Sequence, residues 1–88
     1  MTGINSTLAE LSLRAGDNFL EIAQVKAQGQ EENLRRAIEA YQKALAFFEP
    51  QTYRVRHAGI QNNLGMALAL LAEVRDKEAN LTQAIATF

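Results

Sequence analysis

The chain has 88 residues, of which 48% are hydrophobic and 22% charged, with a formal net charge of -1 and no cysteine. A chain of this length forms one small domain, and its composition is that of a folded domain rather than a disordered tail. The near-zero charge argues against binding to nucleic acid or anionic lipid. The lack of cysteine excludes disulfides, thiolate nucleophiles and cysteine-ligated metals, and a thiol-free chain suits the cytoplasm.

The sequence contains no targeting or membrane signal that we recognise. Residues 1–7 lack the basic stretch and the apolar run of a signal peptide. The longest apolar run, residues 66–72, is far shorter than the roughly 20 residues that span a bilayer. We therefore expect a cytoplasmic protein without a membrane-spanning segment.

The first half of the chain predicts two helices. Thr7 to Glu10 form a capping box, which predicts a helix from Thr7 to about Lys26. Its apolar residues follow the three-and-four spacing of a helical stripe: Leu8, Leu11, Ala15, Phe19 and Ile22. A second helix is predicted from about Glu31 to Phe48, because Pro50 disfavours helical backbone at the residue before it.

The second half predicts two further helices. One runs from about Thr52 to Val74, and a short one starts near Glu78 and runs to Phe88. The predicted fold is therefore all-α, with four helices that form antiparallel hairpins over residues 7–49 and 52–88 of a single domain, the second hairpin being truncated at its end.

An internal repeat supports this division. Residues 33–41 match residues 80–88 at a shift of 47, with identical Asn, Leu, Ala and Ile and with Phe88 in place of Tyr41. Upstream, residues 22–26 match residues 71–75 at a shift of 49, and Gly16 matches Gly65 at the same shift. Because glycine inside a helix costs up to about 1 kcal/mol relative to alanine, we expect Gly16 and Gly65 to allow close helix packing.

These residues resemble the tetratricopeptide repeat (TPR) family. Leu64-Gly65 followed by Leu68 is similar to the first helix of that repeat, and the second-helix pattern is reproduced by Ala37, Tyr41, Ala44, Leu45 and Pro50. The period of 47 to 49 is similar to the long-period variants of bacterial multi-repeat proteins and kinesin light chains. The resemblance implies stacked hairpins in a fragment of a right-handed superhelix, cut from a longer array.

The resemblance also implies a function. The first helix of each hairpin lines a concave face that binds a peptide or protein partner, and no enzymatic activity is implied. The predicted binding residues are Leu13, Arg14, Asp17 and Glu21 in the first repeat and Asn62, Asn63, Met66 and Leu70 in the second. Asparagine suits this role because its amide both donates and accepts hydrogen bonds.

Structural roles compete with these assignments. Asn63 could brace the helix stack, and Leu13 and Leu70 could pack against neighbouring protein. His57 lies in a small basic cluster with Arg54 and Arg56, and we interpret all three as solvated surface, because no second histidine or cysteine joins His57 in a metal site. We expect no cofactor, and neither a phosphate loop nor a paired catalytic arrangement is present.

The alternative function is self-assembly. Each hairpin of a helical stack buries one of its faces only against a neighbour, and three or more repeats are usual for stability. The exposed apolar surface would then be Leu81, Ile85 and Phe88, buried in a second chain as a homo-oligomer. Exchange of hairpins across the connection from Glu49 to Tyr53 is one route to it.

Overall fold

The computed structural model describes the backbone of residues 2–87 and the side chains of residues 6–81. Three helices account for nearly all of it: α1 (Thr2–Val25), α2 (Gln30–Phe47) and α3 (Arg54–Thr87), with no strand between residues 2 and 87. The all-α prediction is therefore confirmed.

The first two helices form an antiparallel hairpin. The turn between them is made by Gly29, whose φ of 70° is easily reached only without a side chain, and α2 begins at the next residue. The side-chain amide of Gln30 donates to the carbonyl oxygen of Ala23 at 2.7 Å, which ties the start of α2 to the end of α1. The predicted limits of α2 are correct within one residue.

The first helix starts earlier than its capping box predicts. Thr7 lies inside α1, five residues after its first residue, and so does not cap it. No proline precedes Thr7, and the single Gly3 costs only about 1 kcal/mol in a helix, so nothing stops the helix from extending toward the N-terminus.

The core is built chiefly by α2, which packs against both other helices. Four large side chains are almost fully buried in the part of the structure whose side chains are described: Leu34, Tyr41, Phe48 and Ile60. On α1 the buried residues are small, with Ala9, Gly16 and Ala23 facing α2 beside Leu20. The apolar stripe predicted for α1 therefore lies one residue away from the face that is actually buried, because α2 packs on the small residues next to the stripe.

The second hairpin is not formed in this structure, and the prediction of four helices is wrong for the described backbone. Residues 54–87 are a single helix in which the predicted break near residues 75–78 is absent. The physical reason is local: residues 66–87 contain neither glycine nor proline, whereas the first repeat has Gly29 in the left-handed region at its turn.

The two matched glycines differ in their surroundings. A Cβ atom added to Gly16 would lie 2.8 Å from Cε1 of Tyr41, so the glycine is needed for close packing of α1 and α2. A Cβ atom added to Gly65 would meet nothing within 4 Å. The expectation of close packing is thus correct for Gly16 and wrong for Gly65, because none of the described side chains from the other two helices covers that side of α3.

The connection between α2 and α3 is a tight turn. The carboxylate of Glu49 accepts hydrogen bonds from the backbone amides of Gln51 (2.8 Å) and Thr52 (3.0 Å). A hydrogen bond from the Thr52 side chain, supplemented by the two amides, lowers the pKa of Glu49 below its usual value. Exchange of hairpins across this connection stays a prediction.

Candidate functional site: the α1–α3 surface

The candidate site is the surface along which α1 and α3 approach each other. Side chains bridge the two helices at three levels: Glu10 to Arg56, Asp17 to Asn63, and Gln24 to Met66. Residue numbers increase in the same order on both helices, so α1 and α3 run in the same direction. We call these six residues the α1–α3 seam, and α2 packs behind it.

The centre of the seam is a polar contact between all three helices. One carboxylate oxygen of Asp17 accepts a hydrogen bond from the Tyr41 hydroxyl at 2.6 Å and another from the Asn63 amide at 3.2 Å. Burial of the Tyr41 ring and the hydrogen bond to Asp17 raise the pKa of the Tyr41 hydroxyl well above its usual range. The hydroxyl therefore stays protonated and holds Asp17 in place.

Arg56 lies at one end of the seam. Its guanidinium forms an ion pair with Glu10 and lies over the Phe48 ring, 5.1 Å from the ring centroid. The neighbouring His57 ring nitrogen Nδ1 lies 2.7 Å from the Phe48 carbonyl oxygen. Because a carbonyl only accepts, Nδ1 carries the hydrogen in this contact. The interpretation of His57 as solvated surface is thus wrong, because this residue is half-buried. Arg54 and Arg56 are exposed, as expected, although Arg56 also makes the contacts above.

The predicted binding residues fall into two groups. Asp17 and Asn63 are brought together by the hydrogen bond between them, which agrees with the bracing role considered for Asn63. Leu13 and Leu70 are half-buried and pack against the core, as their structural alternative supposes, but within this chain. Met66, 42% exposed, accepts a hydrogen bond from Gln24.

The remaining predicted residues are free of such contacts. Arg14, Glu21 and Asn62 are exposed and make no hydrogen bond or ion pair with the side chains of residues 6–81. Of the residues predicted for self-association, Leu81 is exposed, whereas Ile85 and Phe88 lie outside the described side chains. The structure thus gives internal contacts to five of the eight predicted binding residues and leaves Arg14, Glu21 and Asn62 available.

The predicted binding set lacks four residues of this site: Glu10, Gln24, Tyr41 and Arg56, the last of which we interpret from the sequence as solvated surface. Glu10 and Gln24 stand seven residues on either side of Asp17, a spacing that places all three on one face of α1. That regularity was visible in the sequence. The role of Tyr41 was not, because its ring follows the core spacing and only the tertiary structure directs its hydroxyl to Asp17.

Other classes of site find little support in the described residues. Side chains 6–81 include no group of three or more histidine, aspartate or glutamate residues that could hold a metal ion. In the described part of the chain, no helix combines the length and apolar character needed to cross a bilayer. Comparison with protein-family models, curated proteins and solved structures gives no significant match. The resemblance to tetratricopeptide repeats stays a prediction.

Proposed function

We propose that this chain is a non-enzymatic protein-interaction module of the tetratricopeptide type, part of a longer array, that binds a peptide or protein partner on the α1–α3 surface. The observation that carries the proposal is the parallel arrangement of α1 and α3 in front of α2. It presents side chains from two helices, separated by more than forty residues in the chain, on one continuous surface.

The chemistry of this surface suits recognition of an extended polypeptide. Exposed Arg14 and Asn62 offer hydrogen-bond donors, Glu21 offers an acceptor, and Met66 adds an adaptable apolar contact. Asp17 is held rigid by Tyr41 and Asn63, which reduces the entropy lost when a partner binds to it. Rigid polar groups beside an apolar contact are typical of protein-recognition surfaces.

The proposal is tested with peptides selected from a randomised display library on the unaltered protein. The double variant Asn62→Ala/Met66→Ala removes two exposed side chains of the surface, and we expect the affinity of the selected peptides to fall about tenfold. Binding is measured by fluorescence anisotropy. Circular dichroism should show unchanged helicity, because neither side chain is buried.

A matched control lies on the opposite side of the molecule. Gln42 and Lys43 are exposed residues of α2, which packs behind the seam, and Gln42→Ala/Lys43→Ala removes a similar amount of exposed surface. We expect this control to leave peptide affinity unchanged. Equal losses in the two double variants, or no loss in Asn62→Ala/Met66→Ala, would refute binding at the α1–α3 surface.

A further inference from the structure

An apolar stripe on α1 is only partly covered by the described residues, among them Arg36 of α2, whose guanidinium lies 5.8 Å from the Phe19 ring centroid. Leu8, Leu11 and Ile22 are 58%, 54% and 41% exposed, and Ala15 and Phe19 lie half-buried between them. We call these five residues the outer stripe. They occupy a different face of α1 from the small residues that contact α2 and from the seam that contacts α3. A continuous exposed apolar patch of this kind marks an interaction surface.

The internal repeat shows what kind of element fits this stripe. The shift of 49 that aligns Gly16 with Gly65 places Leu11 on Ile60 and Ile22 on Leu71. In the second repeat Ile60 and Leu71 are buried where α3 packs against α2. The outer stripe of α1 therefore repeats the face with which α3 contacts α2. Its fitting partner is a helix with the apolar pattern of α2.

The chain carries that pattern a second time, in residues 80–88. Leu34 and Ala37 of α2 are buried in the core, and their counterparts at the shift of 47 are Leu81 and Ala84. Every residue from Arg75 to Leu81 is exposed, with Leu81 64% exposed. We call residues 79–88 the α3 end. In this segment, a sequence similar to that of α2 follows a stretch of α3, residues 75–81, whose side chains are exposed and do not belong to the core.

The α3 end cannot reach the outer stripe of its own molecule while α3 is unbroken. Leu81 lies ten residues, about 15 Å, beyond Leu71 along the helix axis. The seam places α3 on a different side of α1 from the outer stripe. An unbroken helix cannot turn back around α1, so the α2-like sequence is available only to another molecule.

We propose that the α3 end of one copy of this chain packs antiparallel against the outer stripe of a second copy, as α2 packs against α3 within each copy. The repeat register places Leu81 of one copy near Ile22 of the other. The two surfaces differ, so the contact is head-to-tail, and a dimer keeps one uncovered α3 end and one uncovered outer stripe at which further molecules can add. This contact uses none of the residues assigned to partner binding, so the two proposals are tested separately, and it covers the same two surfaces that neighbouring repeats would cover in a longer array.

The test uses one variant of each surface. Leu81→Glu places a charge on the α3 end, and Ile22→Glu places a charge on the part of the outer stripe that this register puts opposite Leu81. Leu81 is 64% and Ile22 41% exposed, so folding should be retained, which circular dichroism verifies. In light scattering from about 10 μM to about 1 mM, we expect the mass of the unaltered protein to rise with concentration. Each variant alone should associate at least about tenfold more weakly.

Mixing the two variants provides the decisive measurement. Each keeps the surface that the other lacks, so the mixture should form a one-to-one dimer and stop there. Val55→Glu is the control, since Val55 is 86% exposed and belongs to neither surface, and it should associate like the unaltered protein. A monomeric unaltered protein, as expected if another protein covers the stripe, would overturn the proposal. So would single variants that associate normally, or a mixture that stays monomeric.

Discussion

Substitution of the two repeat-matched glycines by alanine should change stability in opposite directions. Gly16 and Gly65 occupy the same register of the sequence repeat and both lie within helices. Alanine favours a helix over glycine by about 1 kcal/mol at either position. Both substitutions therefore gain the same helix propensity, and they differ in the atoms that the new methyl group contacts.

At Gly16 the methyl group meets the Tyr41 ring. The Cβ atom would lie 2.8 Å from Cε1 and 2.9 Å from Cδ1, closer than carbon atoms approach without displacement. The ring cannot move away freely, because it is fully buried and its hydroxyl is bound to Asp17. Overpacking of this kind costs about 1–3 kcal/mol, which exceeds the gain in helix propensity. At Gly65 the methyl group meets nothing, and only the gain remains.

The assay is urea unfolding of Gly16→Ala and Gly65→Ala, followed by circular dichroism. The difference between the two free energies of unfolding cancels the propensity term and isolates the packing cost, expected at about 1–3 kcal/mol. Thermal midpoints should differ by about 4–8 °C for each kcal/mol in a domain of this size. Should Gly16→Ala prove as stable as Gly65→Ala, the close packing of α1 on the Tyr41 ring is wrong.

Two further predictions concern hydrogen bonds. Tyr41→Phe keeps the buried ring but removes the hydrogen-bond donor to the Asp17 carboxylate. It should therefore lower the free energy of unfolding by about 1.5–3 kcal/mol, measured by urea unfolding. An unchanged free energy of unfolding would show that this hydrogen bond contributes nothing to stability. The pKa of Glu49 is lowered in the folded protein, so its contribution to stability is present above the unfolded-state pKa and is lost as the pH falls through the folded-state pKa. Glu49→Gln should therefore flatten the acid side of a plot of thermal midpoint against pH, and a variant with the same acid slope as the unaltered protein would contradict this assignment.

The all-α fold follows from local properties that a sequence displays directly. Residues 30–47 combine helix-favouring composition with apolar residues on one face, and Gly29 and Pro50 mark their ends. These effects act within a few residues of each other, so α2 is predicted almost to the residue. The same logic explains why α3 continues past residue 75, where no residue interrupts the helix.

Part of the proposed binding surface could also be predicted from the sequence. The repeat places residues 13–21 and 62–70 on equivalent helices, and Asp17 and Asn63 do meet in the structure. The sequence alone could not show that Arg14 and Asn62 stay exposed, whereas Asp17 and Asn63 bind each other. Which residues make contact depends on the distance between α1 and α3. That distance is determined jointly by residues that are far apart in the chain.

What the amino-acid sequence determines by itself is the helical character of the chain, the register of its repeat and the position of its first turn, because propensity, capping and glycine conformation are local. The face of α1 that is buried, the different surroundings of Gly16 and Gly65, and the contact of Tyr41 with Asp17 were decided only by tertiary packing. Apolar spacing on α1 is compatible with two adjacent faces. The choice between them depends on how closely α2 approaches, and the small residues of α1 together with the Tyr41 ring determine that approach.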